Sequence, residues 1–300
     1  MHWLTTRFDI DLAQPRVMGI VNVTPDSFSD GGRHASTAQA LALCERLLAE
    51  GAHILDIGGE STRPGSRAVT VEEELARVLP LLHGALKLGC PVSVDTKKPE
   101  VMRAVLALGV DIVNDINALQ APGALDVVAS HGRCGVCLMH MLGTPESMQQ
   151  RPAYDDVVEE VGAFLRERCD VLAARGVALD RIVCDPGIGF GKSPQHNIAL
   201  LRRQRELLVL GRPLLVGWSR KSTLGTLTGR AVADRLPASL AAALAAVQQG
   251  ASIVRVHDVA ATVDALRVWR AAGLGFGTRR PALHNSPPSK PMLGHSASTT

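Results

Sequence analysis

Acids, amides and cations stand at or near the ends of eight short apolar runs in this 300-residue sequence, where they could bind a polar ligand together. The positions are Asn22, Asp56, Asp95, Asn114, Asp115, His140, Asp185, Lys221, Arg255 and His257. Lys221 and Arg255 carry positive charge and His257 can carry it, a combination that suits a phosphate or pyrophosphate group. Cations of this kind also stabilise the negative charge that develops on a leaving group.

The acids and amides offer oxygen atoms to a ligand. Asp95, Asn114 and Asp185 present acceptors and one amide, which suit a flat heterocycle rich in N–H donors. A buried carboxylate is costly without a donor, so such a ligand would satisfy these groups. Asn22 and Asp30 supply hard oxygen atoms that could hold Mg2+ against a pyrophosphate.

The apolar runs themselves are typical of strands buried on both faces of a parallel sheet, because they are short, nearly continuous and rich in β-branched residues. They are Val17–Val23, Ile54–Ile57, Val92–Val94, Val110–Val113, Val136–Met139, Ile182–Cys184, Leu214–Val216 and Ile253–Val256. Helical patterns lie between them, at Ala38–Glu50, Val71–Leu88, Pro99–Leu108, Tyr154–Arg175, Asn197–Leu210, Pro237–Gln249 and Ala260–Ala272.

Eight such units predict an α/β fold, a single (β/α)8 TIM barrel over residues 1–277, with the active site at the C-terminal rim of the strands. An open doubly wound sheet with two extra strands is the alternative, and the absence of a G-x-G-x-x-G fingerprint after the first strand disfavours it. Trp3–Asp11 is a candidate hairpin that would cover the barrel floor. Residues 278–300, rich in Pro and small polar residues, are predicted to be a disordered tail.

In a barrel, all the strand ends converge on one rim, and the phosphate group usually binds after strands seven and eight. A single Asp or Asn in such a place more often caps the next helix. Capping does not explain Lys221 and Arg255, however, and the helix that follows Lys221 would add backbone donors for an anion. The converging set therefore favours a binding site.

Composition and charge exclude several classes of function. The formal net charge is +3 and no Lys/Arg-rich run is interleaved with aromatics, so we expect no nucleic-acid partner. We also expect no membrane segment, because charges or Gly break every apolar stretch, and the absence of a secretory signal predicts a cytoplasmic protein. Cys134 and Cys137 have C-x-x-C spacing beside His131 and His140, but without a second pair we favour buried thiols over zinc.

Eight segments, in order along the chain, resemble the dihydropteroate synthase family. They are MGIVNVTPDSFSDGG at Met18–Gly32, ILDIGGESTRPGS at Ile54–Ser66, SVDTKKPEVM at Ser93–Met102, IVNDINAL at Ile112–Leu119, CLMHMLGTPESMQ at Cys137–Gln149, DPGIGFGK at Asp185–Lys192, SRKS at Ser219–Ser222 and RVHDV at Arg255–Val259. The resemblance implies an enzyme that joins 6-hydroxymethyl-7,8-dihydropterin pyrophosphate to 4-aminobenzoate, with Mg2+ as cofactor.

The resemblance also implies a role for each matching residue. The pterin ring would be bound by Asp95, Asn114, Met139, Asp185, Phe190, Gly217 and Lys221. The pyrophosphate would be held by Asn22, Arg63, Arg255 and His257, with Mg2+ at Asn22 and Asp30. The 4-aminobenzoate would be surrounded by Phe28, Thr62, Arg63, Pro64, Lys221 and Ser222. Catalysis would depend on Lys221, Arg255, His257, Asp95 and Asp185.

This chemistry needs no strong general base, because an arylamine is neutral and already nucleophilic, and the sequence shows none. Positioning the amine against the pterin carbon is then the main task. Sulfonamides, as mimics of 4-aminobenzoate, should bind as inhibitors. The resemblance further implies a homodimer, which the apolar content of the last helices permits.

Three other functions compete with this interpretation. A pterin-binding methyltransferase would share the Asp and Asn contacts but would lack the T-P-D-S-F-S-D and S-T-R-P-G loops. A non-catalytic pterin-binding protein that kept the barrel would be expected to lose Lys221, Arg255 or the loop residues. A generic phosphosugar barrel leaves Asp95, Asn114 and Asp185 without a purpose.

Overall fold

Eight parallel strands close into a barrel, which confirms the predicted fold class. The computed structural model describes residues 1–23, 32–61, 66–144, 148 and 152–274. The barrel strands are β3 (Arg16–Asn22), β4 (Ile54–Gly58), β5 (Val92–Asp95), β6 (Ile112–Asp115), β7 (Gly135–Met139), β8 (Ile182–Asp185), β9 (Leu214–Val216) and β10 (Ala251–Val256). They pair in chain order, and β10 closes the ring against β3.

Helices alternate with the strands. They are α1 (Gly32–Ala49), α2 (Val71–Ala85), α3 (Pro99–Ala107), α4 (Ala124–His131), α5 (Val157–Ala174), α6 (Pro194–Arg203), α7 (Ser222–Thr228), α8 (Leu236–Gln248) and α9 (Val259–Ala271). Neither α4 nor α7 was delimited by the sequence pattern, since each spans only two turns and so has too few residues for a clear apolar period. The prediction of one continuous helix at Asn197–Leu210 is also wrong, because α6 ends at Arg203 and a 3-10 helix, Gln204–Leu210, follows it.

A small hairpin fills the N-terminal end of the barrel, as expected for Trp3–Asp11. Strands β1 (His2–Leu4) and β2 (Asp9–Asp11) pair antiparallel, and Trp3 is fully buried with its Nε1 donating to the carbonyl of Arg181 at 2.9 Å. Below it, Arg7 forms an ion pair with the fully buried Asp111 at 2.6 Å. The hairpin thus keeps water out of the lower barrel and leaves the opposite rim open.

The core has two parts. An inner cluster of residues from the barrel strands and the hairpin contains Trp3, Ile10, Leu12, Met18, Ile54, Ile112, Cys137, Val183, Leu215 and Ile253. A larger cluster packs the outer strand faces against the helices. Because both faces of the barrel strands are packed, the strand ends are held rigidly at the rim.

No helix among the described residues is long and apolar enough to cross a membrane.

Candidate active site

An acid–cation cluster occupies the centre of the rim. Arg255, near the end of β10, donates from Nε to Asp56 Oδ2 at 2.6 Å and from a terminal nitrogen to Asp95 Oδ2 at 2.8 Å. Asn114, on β6, donates to the same Asp56 oxygen at 3.2 Å. The other oxygen, Asp56 Oδ1, is buried and has no hydrogen-bond partner among the described residues. The cluster therefore keeps acceptor capacity for a ligand that brings N–H groups.

The contact between Arg255 and Asp95 differs from the arrangement expected from the sequence. The resemblance assigned Arg255 to the pyrophosphate and Asp95 to the pterin ring. In the structure, Arg255 bonds to Asp95 directly, because barrel closure pairs β10 with β3, whose other neighbour is β4, and so brings Arg255 within reach of Asp56 and Asp95. Burial raises the pKa of Asp95 to about 7, against the lowering effect of Arg255.

The second acceptor, Asp185, ends β8 beside a cation. Its Oδ1 accepts a hydrogen bond from the backbone N–H of Gly187 at 2.7 Å. Burial raises the pKa of Asp185 to about 6, although Lys221 and Arg255 lower it. Lys221 lies directly before α7, and burial lowers the pKa of its ammonium group to about 8. A carboxylate and an ammonium group are thus buried beside each other with shifted pKa values, as is common at ligand-binding sites.

Phe190 forms a platform under this cation. The Lys221 Nζ lies 4.2 Å from the centre of the Phe190 ring, a cation–π distance. Gly189 has positive φ, and a Cβ there would lie only 3.1 Å from Lys221 Cδ. Met139, at the end of β7, is buried beside Gly187, where an added Cβ would lie 3.2 Å from Met139 Cγ. The sequence-predicted pterin residues of β7, β8 and the β9–α7 segment are therefore brought together.

The corner after β9 and β10 contains a histidine and a serine. Nδ1 of the half-buried His257 lies 2.9 Å from Ser219 Oγ, and the His257 backbone N–H donates to the same oxygen at 3.2 Å. Gly217 lies between β9 and Ser219, where a Cβ would approach the Arg255 carbonyl at 4.0 Å. Ser222, the first residue of α7, is exposed at the same corner. Backbone N–H groups at the start of α7 complete an environment that suits an anion.

Asn22 ends β3 opposite Gly58 on β4, and its side chain is half-buried. Its Oδ1 is turned toward Gly58, where an added Cβ would lie 3.7 Å away. Five other residues predicted for the site lie outside the described residues: Phe28, Asp30, Thr62, Arg63 and Pro64.

Sequence reasoning missed the roles of two buried groups at the rim. Asp56 was recognised as part of the second predicted strand but was given no function. A carboxylate inside an otherwise apolar strand indicates a cationic partner. Lys192 belongs to the DPGIGFGK motif but was also given no role. It is buried, and its Nζ lies 2.9 Å from His140 Nδ1.

A second network lies at the start of the β4–α2 loop. Lys98 Nζ donates to Glu60 and to the buried Glu74, the latter at 2.5 Å, and Lys97 lies 3.4 Å from Glu60. The first turn of α2 is acidic, a composition that usually serves the helix dipole. Glu74 instead pairs with Lys98, while Glu73 completes a capping box with Thr70.

The cysteines of the C-x-x-C sequence point into different parts of the core. Cys137 belongs to the inner barrel cluster, whereas Cys134 packs outside the barrel and its Sγ lies 3.4 Å from a terminal nitrogen of Arg181. Among the described residues, no three His, Cys, Asp or Glu side chains are grouped so as to hold a metal ion. The geometry of this pair favours packing.

Comparisons with known proteins identify the family of this chain. A model of the pterin binding enzyme family matches residues 18–257. The dihydropteroate synthase of Neisseria meningitidis serogroup B is 55% identical over 280 residues, covering 91% of this chain and 98% of that protein.

Two solved structures share the fold at high identity. The dihydropteroate synthase of Xanthomonas albilineans with 4-aminobenzoic acid is 53% identical, with a TM-score of 0.83, covering 88% of this chain and 95% of that one. The Yersinia pestis dihydropteroate synthase, in a sulfonamide drug complex, is 45% identical, with a TM-score of 0.86, covering 91% of this chain and 99% of that one. From its rim geometry and these matches, the chain belongs to the dihydropteroate synthase family of pterin-binding enzymes.

Proposed function

We propose that this chain condenses 6-hydroxymethyl-7,8-dihydropterin pyrophosphate with 4-aminobenzoate, giving 7,8-dihydropteroate and pyrophosphate. One observation carries the proposal: the rim joins buried acceptors, Asp95 and Asp185, to the cations Lys221 and Arg255 within one cluster. A flat donor-rich ring that carries an anionic group matches both halves of this cluster. The relatives named dihydropteroate synthase support the same assignment.

The pterin half of the site follows from the acceptors. Asp95 and Asp185 would accept hydrogen bonds from the ring's N–H groups. The amide of Asn114 would bond to the ring's N–H and carbonyl groups. Met139 and Phe190 would line its faces, while Gly217 leaves room at the β9 end and Lys221 donates to the ring. Asp95, Asn114 and Asp185 are buried, so a ligand would supply hydrogen-bond partners where few waters can reach.

The pyrophosphate would lie at the corner after β9 and β10, held by Arg255, His257 and Arg63. Asn22 fits one position of a Mg2+ site, because its half-buried amide oxygen stands at a strand end and hard oxygens are what this ion takes. Asp30 would supply a carboxylate oxygen. Mg2+ bound there would neutralise charge on the pyrophosphate oxygens.

The 4-aminobenzoate would be surrounded by Phe28, Thr62, Arg63 and Pro64, together with Lys221 and Ser222. Sulfonamides, as mimics of this substrate, would compete for the same place. The Yersinia pestis relative, whose structure is a sulfonamide drug complex, supports that expectation.

The reaction breaks the bond between the pterin methylene carbon and the pyrophosphate oxygen, and the electron pair leaves with pyrophosphate. Arg255 and His257 stabilise the charge that develops on the leaving group. The amine nitrogen of 4-aminobenzoate then forms the new bond to carbon and loses a proton to solvent. Because the arylamine is already neutral, the protein's task is to align the two reactants.

Residues 1–277 would act as one catalytic domain, in the cytoplasm, as a homodimer. Exposed apolar side chains permit a dimer: Val209, Leu227, Val232 and Val268 are each more than half exposed. A second copy is a suitable cover for such residues. Light scattering on the eluting protein should give twice the 31.8 kDa chain mass, and a mass of one chain would contradict the dimer.

Product formation tests the function directly. With both substrates and Mg2+, the wild-type chain should form 7,8-dihydropteroate, and a chelator should suppress the reaction. Arg255→Met should reduce kcat/KM by about 10²- to 10³-fold, since it removes a cation from the developing charge. Arg203→Met is the matched control, because Arg203 pairs with Asp156 and Glu206 away from the rim. Absence of product from the folded wild-type protein would refute the proposal.

A further inference from the structure

A buried lysine without an acidic partner lies beneath the pterin side of the rim. Lys192 is 2% exposed, and its Nζ lies 2.9 Å from His140 Nδ1. It also donates to the carbonyl oxygens of Gly187 and Phe190 at 3.0 Å each, and to that of His140 at 3.3 Å. None of its hydrogen-bond partners in the described part of the chain is a carboxylate. A buried ammonium group surrounded by carbonyls is costly to place, so its position calls for an explanation.

These carbonyls belong to two neighbouring segments. Residues 186–193 form the β8–α6 loop, and His140 begins the segment after β7. The two segments touch so closely that a Cβ on Gly187 would lie 1.9 Å from the His140 carbonyl oxygen, and one on Gly191 would lie 2.5 Å from that of Leu142. Lys192 therefore ties together two pieces of backbone that leave no room for side chains between them.

The loop is held from the same side by a second donor. Tyr154 donates its hydroxyl to the Gly191 carbonyl at 2.8 Å, and the His140 ring packs edge-on against Phe164 at 4.9 Å between centroids. On the loop's other side, the Gly189 N–H donates to Asn197 of α6 at 2.9 Å. These contacts fix the loop backbone without using any atom that faces the ligand space.

The groups aligned by this loop are those that face the ligand. The Gly187 N–H donates to Asp185, the Phe190 ring lies beneath the Lys221 ammonium group, and the Gly189 backbone packs against the Lys221 side chain. If Nζ were removed, the carbonyls of His140 and Phe190 would lose a donor and that of Gly187 would keep only the Phe190 N–H, so the loop backbone would have to turn. Such a turn would move a pterin-facing acid, a ring and a cation at once.

We propose that Lys192 is a positioning residue for the pterin half of the site, holding the β8–α6 loop so that Asp185, Phe190 and Lys221 are aligned for the ring. This inference rests on the proposed function. It predicts a larger effect on the pterin pyrophosphate than on 4-aminobenzoate, because the contacts of Lys192 lie on the side of β7 and β8 and Lys221 is the only aligned residue that both ligands share. Its positive charge near Asp185 also favours the ionised acid, which a ring with N–H donors needs.

The test is steady-state kinetics of Lys192→Met, which keeps the chain length and removes the ammonium group. We expect the KM for the pterin pyrophosphate to rise at least tenfold, and the KM for 4-aminobenzoate, which shares only Lys221 with the pterin, to rise less than threefold. The matched control is Arg181→Met. Arg181 is also a buried cation that donates to backbone carbonyls, those of Cys134 and Val128, but it lies at the opposite end of β8. The Arg181→Met substitution should lower thermal stability and leave both KM values unchanged.

Each outcome decides the matter. A selective rise in the pterin KM for Lys192→Met, absent in Arg181→Met, supports positioning. Equal changes in both KM values, or lost stability with both unchanged, overturn it. If Lys192→Met does not fold, Tyr154→Phe takes its place, because it removes one donor from the same loop and keeps the ring. A rise of about threefold in the pterin KM then supports the proposal, and no change overturns it. An inactive wild-type protein would instead refute the proposed function.

Discussion

Arg255 is shared by two acids, and this sharing explains how the rim can keep carboxylates buried before a ligand arrives. Its guanidinium fork bonds Asp56 and Asp95 at the same time, at 2.6 and 2.8 Å. A buried ion pair of this kind contributes little net stability, because desolvation offsets most of the attraction. Its value lies in fixing geometry, because it holds the guanidinium group between Asp56 of β4 and Asp95 of β5.

Asp185 is expected to make ligand binding depend on pH. Burial raises its pKa to about 6, and the facing cations Lys192, Lys221 and Arg255 only partly counteract this. A ligand that donates N–H groups binds the ionised acid, so the contribution of Asp185 to affinity should be constant above about pH 7. It should fall as the pH drops through 6, by up to about tenfold per unit. Asp95, whose pKa is raised to about 7, would act in the same direction.

Calorimetric titration with an uncharged pterin between pH 5 and 8 measures this dependence. Asp185→Asn provides the control, since its side chain does not titrate and its weaker binding should vary less with pH. Equal wild-type affinity at pH 5 and pH 8 would contradict the role assigned to these acids.

Among the elements, the β8–α6 loop shows how tightly backbone can determine a site. Gly187 and Gly211 have similar positive φ, +68° and +64°. A Cβ on Gly187 would lie 1.9 Å from the His140 carbonyl oxygen, whereas a Cβ on Gly211 would meet nothing within 4 Å. Substituting each of these two glycines therefore distinguishes the effect of a steric clash from the cost of a left-handed backbone conformation.

Gly211→Ala should therefore lower the free energy of unfolding by only about 1–2 kcal/mol, the cost of a left-handed conformation. Gly187→Ala should cost more than about 4 kcal/mol, since the backbone must also move. Urea unfolding of both variants measures the difference. Similar losses in the two proteins would show that the close approach of the two segments is not maintained in solution.

The elements also show what a sequence can and does not predict. The strand at Leu214–Val216 was predicted to the residue, and Val17–Val23 lies within one residue of β3, because continuous apolar runs mark strands buried on both faces. Helix α7 was not delimited, because its seven residues, STLGTLT, show no clear apolar face. Tertiary packing decides such short segments.

The same limit applies to the site. The acids and cations of the rim were recognisable by their place after strands, but their mutual contacts were not. Arg255 meets Asp56 across 199 positions of sequence, a contact that exists only once the barrel closes. Lys192 was missed because its partners are backbone carbonyls, which leave no pattern in the side-chain sequence.

At the scale of the whole molecule, the fold separates stability from chemistry. The hairpin and the inner apolar cluster fill the lower barrel. The acids and cations of the candidate site lie at the opposite rim. This division is the general one for TIM barrels, whose loops change while the core persists. It explains how one rim can hold the acids for a heterocycle beside the cations for its leaving group.

The most direct test of this account is pyrophosphate release by the purified protein from 6-hydroxymethyl-7,8-dihydropterin pyrophosphate and Mg2+, with and without 4-aminobenzoate. The account predicts that sustained release requires 4-aminobenzoate, yields one dihydropteroate per pyrophosphate, and collapses in Lys221→Ala. Pterin binding without release of pyrophosphate, whether or not 4-aminobenzoate is present, would contradict it and would favour a pterin-binding protein without synthase activity.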